Sequence, residues 1–195
     1  MKFSKLLLAV VGATVLLGAL VSSASAGRLS NSATTNKATW TRMNFAGGFG
    51  TVECEVRLEG RFHAATITKT AGSLIGYITA GTVIRCARGG ATINAGSLPW
   101  HRRYTSFTGT LPNITTINET VTGAEWTIRE PTFGITCTVR REASSTIGTY
   151  ALSSGTVTTA EVSGESRCGE FAGRLSGSTT NVTEGSGARL TVRLI

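Results

Sequence analysis

The chain has 195 residues, 41% of them apolar and 15% charged, with a formal net charge of +8. That is one domain of ordinary size with enough apolar side chain for a core of its own, and not the composition of a disordered chain. It contains no Asp, which excludes EF-hand loops and Asp-based triads and argues against carboxylate-rich cages for hard metals, leaving any acid chemistry to 11 Glu.

Met1 to Lys5 is a basic segment, Leu6 to Val21 an apolar run, and Ala24-Ser25-Ala26 a small-x-small site. This pattern predicts a signal peptide over residues 1–26, cut before Gly27, and hence a secreted, extracellular protein. No later apolar run is long enough to span a bilayer, so no transmembrane segment is expected in the mature chain. Without Lys2 and Lys5 the mature chain carries about +6, from 17 Lys and Arg against 11 Glu. That balance favours anionic surroundings, although the charges are scattered and contain no long run. Residues 27–39 are small and polar and are expected to form a flexible tail, with the folded domain at 40–195.

Within that domain, Val52 to Glu59 alternates Val52, Cys54, Val56 and Leu58 against Glu53, Glu55, Arg57 and Glu59. Period two predicts a strand with one wet face, which puts Cys54 in the core. Further strands are predicted at 62–69 and 74–85, with a short helix over 70–80 as the alternative. A turn at 87–90, a short strand at 91–95 and a strand at 98–107 follow. A hairpin is expected from 114–121 and 125–129, turning at Thr122-Gly123-Ala124. Residues 134–140, 149–152, 156–162, 171–175 and 189–194 supply the remaining strands. Short Thr- and Val-rich strands without an amphipathic helix predict an all-β, single-domain antiparallel sandwich or barrel. The pattern does not choose between the two.

Four cysteines, Cys54, Cys86, Cys137 and Cys168, form an even set in an exported chain and imply two disulfides, with three connectivities open. Folding the hairpins back on themselves favours Cys54–Cys86 and Cys137–Cys168. Each bridge would then contribute ~3–4 kcal/mol in the chain-entropy view. No CxxC or CxxH spacing is present, so neither a metal site nor a cofactor is expected. The repeated AGSL at 71–74 and 95–98 is too short to mark a repeat.

The stretches VECEVRLEGRFH (52–63), GSLIGYIT (72–79), SLPWHRRYTSFTGTLPNIT (97–115) and RLTVRLI (189–195) give the chain its most distinctive look. They are similar to segments of a group of small exported proteins of high-GC actinobacteria, over most of 47–195. The resemblance implies export and one compact domain, and it supplies no catalytic residues.

The segment around Trp100 concentrates the chemistry. As a strand it places Trp100, Arg102 and Tyr104 on one face and His101, Arg103 and Phe107 on the other. Aromatic and arginine side chains so interleaved can stack on a ring and pair with an anion, which makes Trp100, Arg102, Arg103 and Tyr104 the candidate ligand-binding residues. The competing and favoured reading is that Trp100 anchors the core and Arg102 covers apolar surface with its stem. Catalysis would need His101 or His63 as a base with a Glu orienter, and no GxSxG elbow accompanies them. Paired glutamates on the Val52–Glu59 strand read as solubilising charge rather than as a glycosidase pair. Nucleic acid is not expected as a partner, because a basic stripe, a recognition helix and an RNP-type aromatic pair are all missing. The sequence therefore predicts a secreted non-catalytic binding or structural domain. Its expected partners are an apolar small molecule, a lipid or an anionic cell-surface polymer, and a small secreted hydrolase is the rival.

Overall fold

Alternation decides which side of each strand is buried, and the pattern read at Val52–Glu59 runs through most of the protein. The computed structural model describes residues 28–48, 50–140, 146–168 and 170–195. The expected signal peptide lies outside them. The strands are β1 (Arg28–Asn31), β2 (Thr35–Gly47), β3 (Gly50–Phe62), β4 (Thr66–Thr68), β5 (Leu74–Arg88), β6 (Gly90–Ile93), β7 (Trp100–Thr110) and β8 (Asn113–Thr122). They continue with β9 (Glu125–Glu130), β10 (Ile135–Arg140), β11 (Thr146–Ser153), β12 (Thr156–Cys168), β13 (Phe171–Thr179), β14 (Val182–Glu184) and β15 (Val192–Leu194). Among the described residues the one helical turn is the 3-10 segment Ala95–Ser97, and no helix is long and apolar enough to cross a membrane.

The antiparallel ladders run β2-β3-β5-β7-β8-β11-β12-β13 and return to β2. The β11–β12 pairing closes the circuit, so the open choice between sandwich and barrel resolves as a barrel of these eight strands. An eight-stranded barrel has an interior just wide enough for side chains to fill. Trp40, Met43, Phe45, Val52, Val56, Ile78, Trp100 and Leu175 fill it.

Both ends are covered. At one end β15, β1 and β4 form a three-stranded sheet that buries Leu29, Ile67 and Val192. At the other, β10 continues from the top of β12 through the pair Arg140 and Arg167, and β9 and β6 follow it. Trp126 of β9 points into the core from there, with ring centroids 5.2 Å from Phe45 and 5.4 Å from Trp100.

Both disulfides have the expected connectivity. Cys54 and Cys86 are register partners on β3 and β5, and Cys137 and Cys168 tie β10 to β12.

Three expectations are corrected. Residues 28–39 are not a flexible tail: β1 and the first part of β2 lie there, with Leu29 fully buried between Leu194 and Ile67. Polar composition misled because strand pairing orders the segment although only Leu29, Asn31, Ala38 and Thr39 are buried in it. The hairpin expected from 114–121 and 125–129 does not form. Gly123, at φ +87°, turns the chain out of the barrel, so β8 pairs with β7 and β11 while β9 pairs with β6 and β10. The helix considered over 70–80 is a turn followed by β5.

Candidate functional site

The alternation predicted for the Trp100 segment is what the fold uses. Trp100, Arg102 and Tyr104 are buried inside the barrel, and His101 and Arg103 are exposed on its outer wall. The four candidate ligand-binding residues are therefore split by the thickness of the sheet and form no single site.

Inside, Arg102 is the hub. Its Nε donates to both oxygens of Glu119 at 2.9 Å, and its NH2 lies 2.8 Å from Glu119 Oε2. The same NH2 donates to the Tyr150 hydroxyl at 3.1 Å, and that hydroxyl donates to Glu119 Oε1 at 2.9 Å. NH1 reaches Asn36 Oδ1 at 3.4 Å, and the guanidinium stacks 4.5 Å from the centroid of the Phe62 ring. One arginine thus ties β7 to β8, β11, β2 and β3.

Room for this cluster comes from glycine. A Cβ on Gly60 would lie 2.7 Å from Asn36 Oδ1 and 3.0 Å from Arg102 NH1, and one on Gly148 would lie 3.0 Å from Glu119 Cγ. A Cβ at Gly60 would be closer than real Cβ atoms pack, and one at Gly148 would fit only if Glu119 gave way, so glycine at both positions leaves the cluster its room.

Burial alone would weaken the charge on Arg102, but the Glu119 carboxylate and the Tyr150 hydroxyl outweigh it and hold the guanidinium well above its ordinary pKa. Burial pushes the Tyr150 hydroxyl strongly up, only partly offset by Arg102. The Tyr104 hydroxyl is raised by burial as well. These shifts keep the cluster as one ion pair with a protonated tyrosine.

Next to the cluster is a cavity of about 40 Å³, lined among others by Trp40, Met43, Ile78, Trp100, Trp126 and Glu119. That volume admits a few waters at ~10–15 Å³ each, against ~300–1,000 Å³ for a typical ligand pocket. The Trp40 and Trp126 indole N–H groups are buried without a partner among the described residues, whereas Trp100 donates to Ser97 Oγ at 2.9 Å.

On the outer wall, His63 and His101 flank Tyr77, with ring centroids 4.9 and 5.3 Å from it in edge-on geometry. Neither histidine meets a glutamate among the described residues, and no three His, Cys or Glu side chains there converge on a point where a metal ion could sit. The glutamates of β3 serve as surface charge: Glu55 pairs with Arg85 at 2.8 Å and Glu53 with Arg42 at 3.5 Å.

Sequence reasoning missed Glu119, Tyr150 and Asn36. A signal for Glu119 was present, since Ile117-Asn-Glu119-Thr-Val121 puts a carboxylate in the middle of an apolar face. Nothing local marked Tyr150 or Asn36. Compared with known protein families, curated proteins and solved structures, the chain finds no match.

Proposed function

We propose that this chain is an exported, disulfide-stapled barrel that acts by interaction through its outer surface and not by catalysis. The observation that carries the reading is the closed interior. Three tryptophans and the Arg102–Glu119–Tyr150 cluster fill the barrel, and the cavity beside them among the described residues is about 40 Å³. A lipid or other apolar molecule would have to displace this packing, which argues against the sequence-based expectation of an apolar ligand held inside. The rival hydrolase loses its support for a separate reason, because His63 and His101 stand on the outer wall without a carboxylate to orient them. Export is supported by the leader-like residues 1–26 and by two disulfides, which persist in oxidising compartments. The resemblance to exported actinobacterial proteins points the same way.

Native mass spectrometry of the protein purified from the medium of an expressing culture tests the reading. The bare chain mass is expected, with no co-purifying molecule and no turnover on ester, peptide and glycoside panels. A stoichiometric bound lipid, or turnover lost in His63→Gln or His101→Gln, would overturn it.

A further inference from the structure

The charges that look scattered along the sequence are gathered by the sheet. From residue 60 to residue 118 the chain contains no Glu, while Arg61, His63, Lys69, His101 and Arg103 all fall within that stretch. The ladders bring these residues together. Across β2, β3, β5, β7 and β8, the residues Thr35, Arg61, Tyr77, His101 and Thr122 are successive register partners in one row. His63 and His101 both pack against Tyr77 in T-shaped geometry, with centroids 4.9 and 5.3 Å away. Arg103 lies one outward step further along β7, its NH1 donating to the Gly72 carbonyl at 3.0 Å. Beyond it, Lys69 sits 5.5 Å over the Phe107 ring. Among the described residues of these strands the next outward-facing carboxylate is Glu59, two residues before Arg61 on β3 and the register partner of Lys37. Arg61, His63, His101 and Arg103 are exposed, and Tyr77 is half-buried between them.

From this arrangement we infer that the outer wall of β3, β5 and β7 is a docking surface for an acidic polysaccharide, a glycan bearing carboxylate or phosphate groups. The inference rests on the reading that the protein works through its outside and names the face and the partner. A half-buried tyrosine in a polar barrel wall offers an aromatic contact for the C–H groups of a sugar, and arginines on the strands to either side supply forked donors for the acid groups. Arg61 on β3 and Arg103 on β7, with Lys69 beyond them and no carboxylate of the described residues between them, fit a repeating polyanion better than a single small anion. Nucleic acid would also answer to the charge. However, the platform is one tyrosine held edge-on by two imidazoles, where single strands use successive rings for successive bases.

Affinity electrophoresis of the purified protein through gels containing polygalacturonate, with dextran gels and single-stranded DNA as comparisons, tests this. Polygalacturonate is expected to retard the protein strongly and dextran not at all. The double variant R61Q/R103Q should weaken retention at least tenfold, and Tyr77→Ala several-fold. R167Q/R174Q, which removes equal charge from β12 and β13 on the far side of the barrel, should change it less than twofold. Circular dichroism melts establish that each variant is folded. Equal losses from both double variants would show a net-charge effect and overturn the proposal, as would tighter binding to DNA than to polygalacturonate. Absence of retardation in the folded wild type would also overturn it, and would leave the closed, non-catalytic barrel to be judged by its own mass-spectrometric test.

Discussion

Arg102 and Glu119 are diagonal neighbours on β7 and β8, not register partners: Arg102 stands opposite Val121, and Glu119 opposite Tyr104. The guanidinium therefore lies along the inner wall, and this diagonal lets it reach Tyr150 and Asn36 as well. Removing one member leaves a buried charge unpaired. Arg102→Met is expected to cost ~3–5 kcal/mol in urea unfolding, the range for broken buried pairs. The double variant R102M/E119L should recover most of that loss, since replacing both partners by apolar groups of similar size removes the desolvation penalty. If the double variant were no more stable than Arg102→Met, the ion pair would not be the dominant interaction at this position.

Tyr150 makes stability depend on alkaline pH. Its hydroxyl has a raised pKa in the folded protein, so the folded state holds its proton where the unfolded chain, near the ordinary value of 10, has begun to lose it. The associated stability is complete below pH ~10 and is lost as pH rises from there towards the folded pKa, by up to ~1.4 kcal/mol per pH unit. Tyr104, also raised, adds to the same slope. Urea midpoints measured at pH 9, 10 and 10.5 should fall, and fall less in Tyr150→Phe. An identical slope in that variant would assign the effect elsewhere.

Glu130 sets the opposite limit. It caps the turn after β9, with Oε2 accepting from the Phe133 amide at 2.8 Å and Arg88 NH2 4.0 Å from Oε1. Burial would raise its pKa, but the Phe133 and Thr132 amides, the Thr132 hydroxyl and Arg88 together hold it below the ordinary 4.5. Stability from this group is present above pH ~4.5 and is lost as pH falls through the lower folded value. Glu130→Gln is expected to be less stable at pH 7 and to lose less of its remaining stability between pH 5 and 3. A decline parallel to that of the wild type would exclude Glu130 as the titrating group.

What the sequence revealed follows from which interactions are local. The β3 strand and the split of Trp100, Arg102 and Tyr104 from His101 and Arg103 were legible because period-two alternation fixes facing without knowledge of the partner strand, and the disulfide pairing followed from joining cysteines that neighbour each other in sequence. The Arg102 cluster was hidden because its members, residues 36, 102, 119 and 150, meet only when the barrel closes. The same holds for the cationic wall, where Arg61, Tyr77 and His101 become neighbours through ladders between three strands. Closure itself depends on the long-range β13–β2 and β11–β8 pairings, which no local pattern announces, whereas β11–β12 is a tight hairpin through Ser154 and Gly155. Gly123 reads equally well as a hairpin turn and as an exit, and only the partners of β9 decide between them.

Trp126 fills the top of the barrel from outside the barrel wall, so removing it should open the interior without breaking a wall strand. Trp126→Ala is expected to cost ~3–5 kcal/mol and to leave a cavity continuous with the existing 40 Å³. An apolar cavity of that kind admits small aromatic molecules. The wild type should show no saturable binding of indole by calorimetry, and Trp126→Ala should show it with 1:1 stoichiometry. Saturable indole binding by the wild type would contradict the closed interior on which the proposed function rests.

The two disulfides close loops of nearly equal length, with sequence separations of 32 and 31, so the chain-entropy contribution of each is alike, at ~3–4 kcal/mol. Their native surroundings differ. Cys54–Cys86 joins β3 and β5, which are paired along most of their length. Cys137–Cys168 joins β10 and β12, for which the pairing is Arg140 with Arg167. Loss of the first bridge should therefore lower global stability and leave local opening unchanged. Loss of the second should do both, freeing the β6–β9–β10 sheet to lift Trp126 from the core. Native-state hydrogen exchange on C54S/C86S and C137S/C168S separates the cases, with amides of β9 and β10 accelerated selectively in the second variant. Uniform acceleration across the barrel in both would mean that packing of Trp126 and Ile128 holds the side sheet without the bridge.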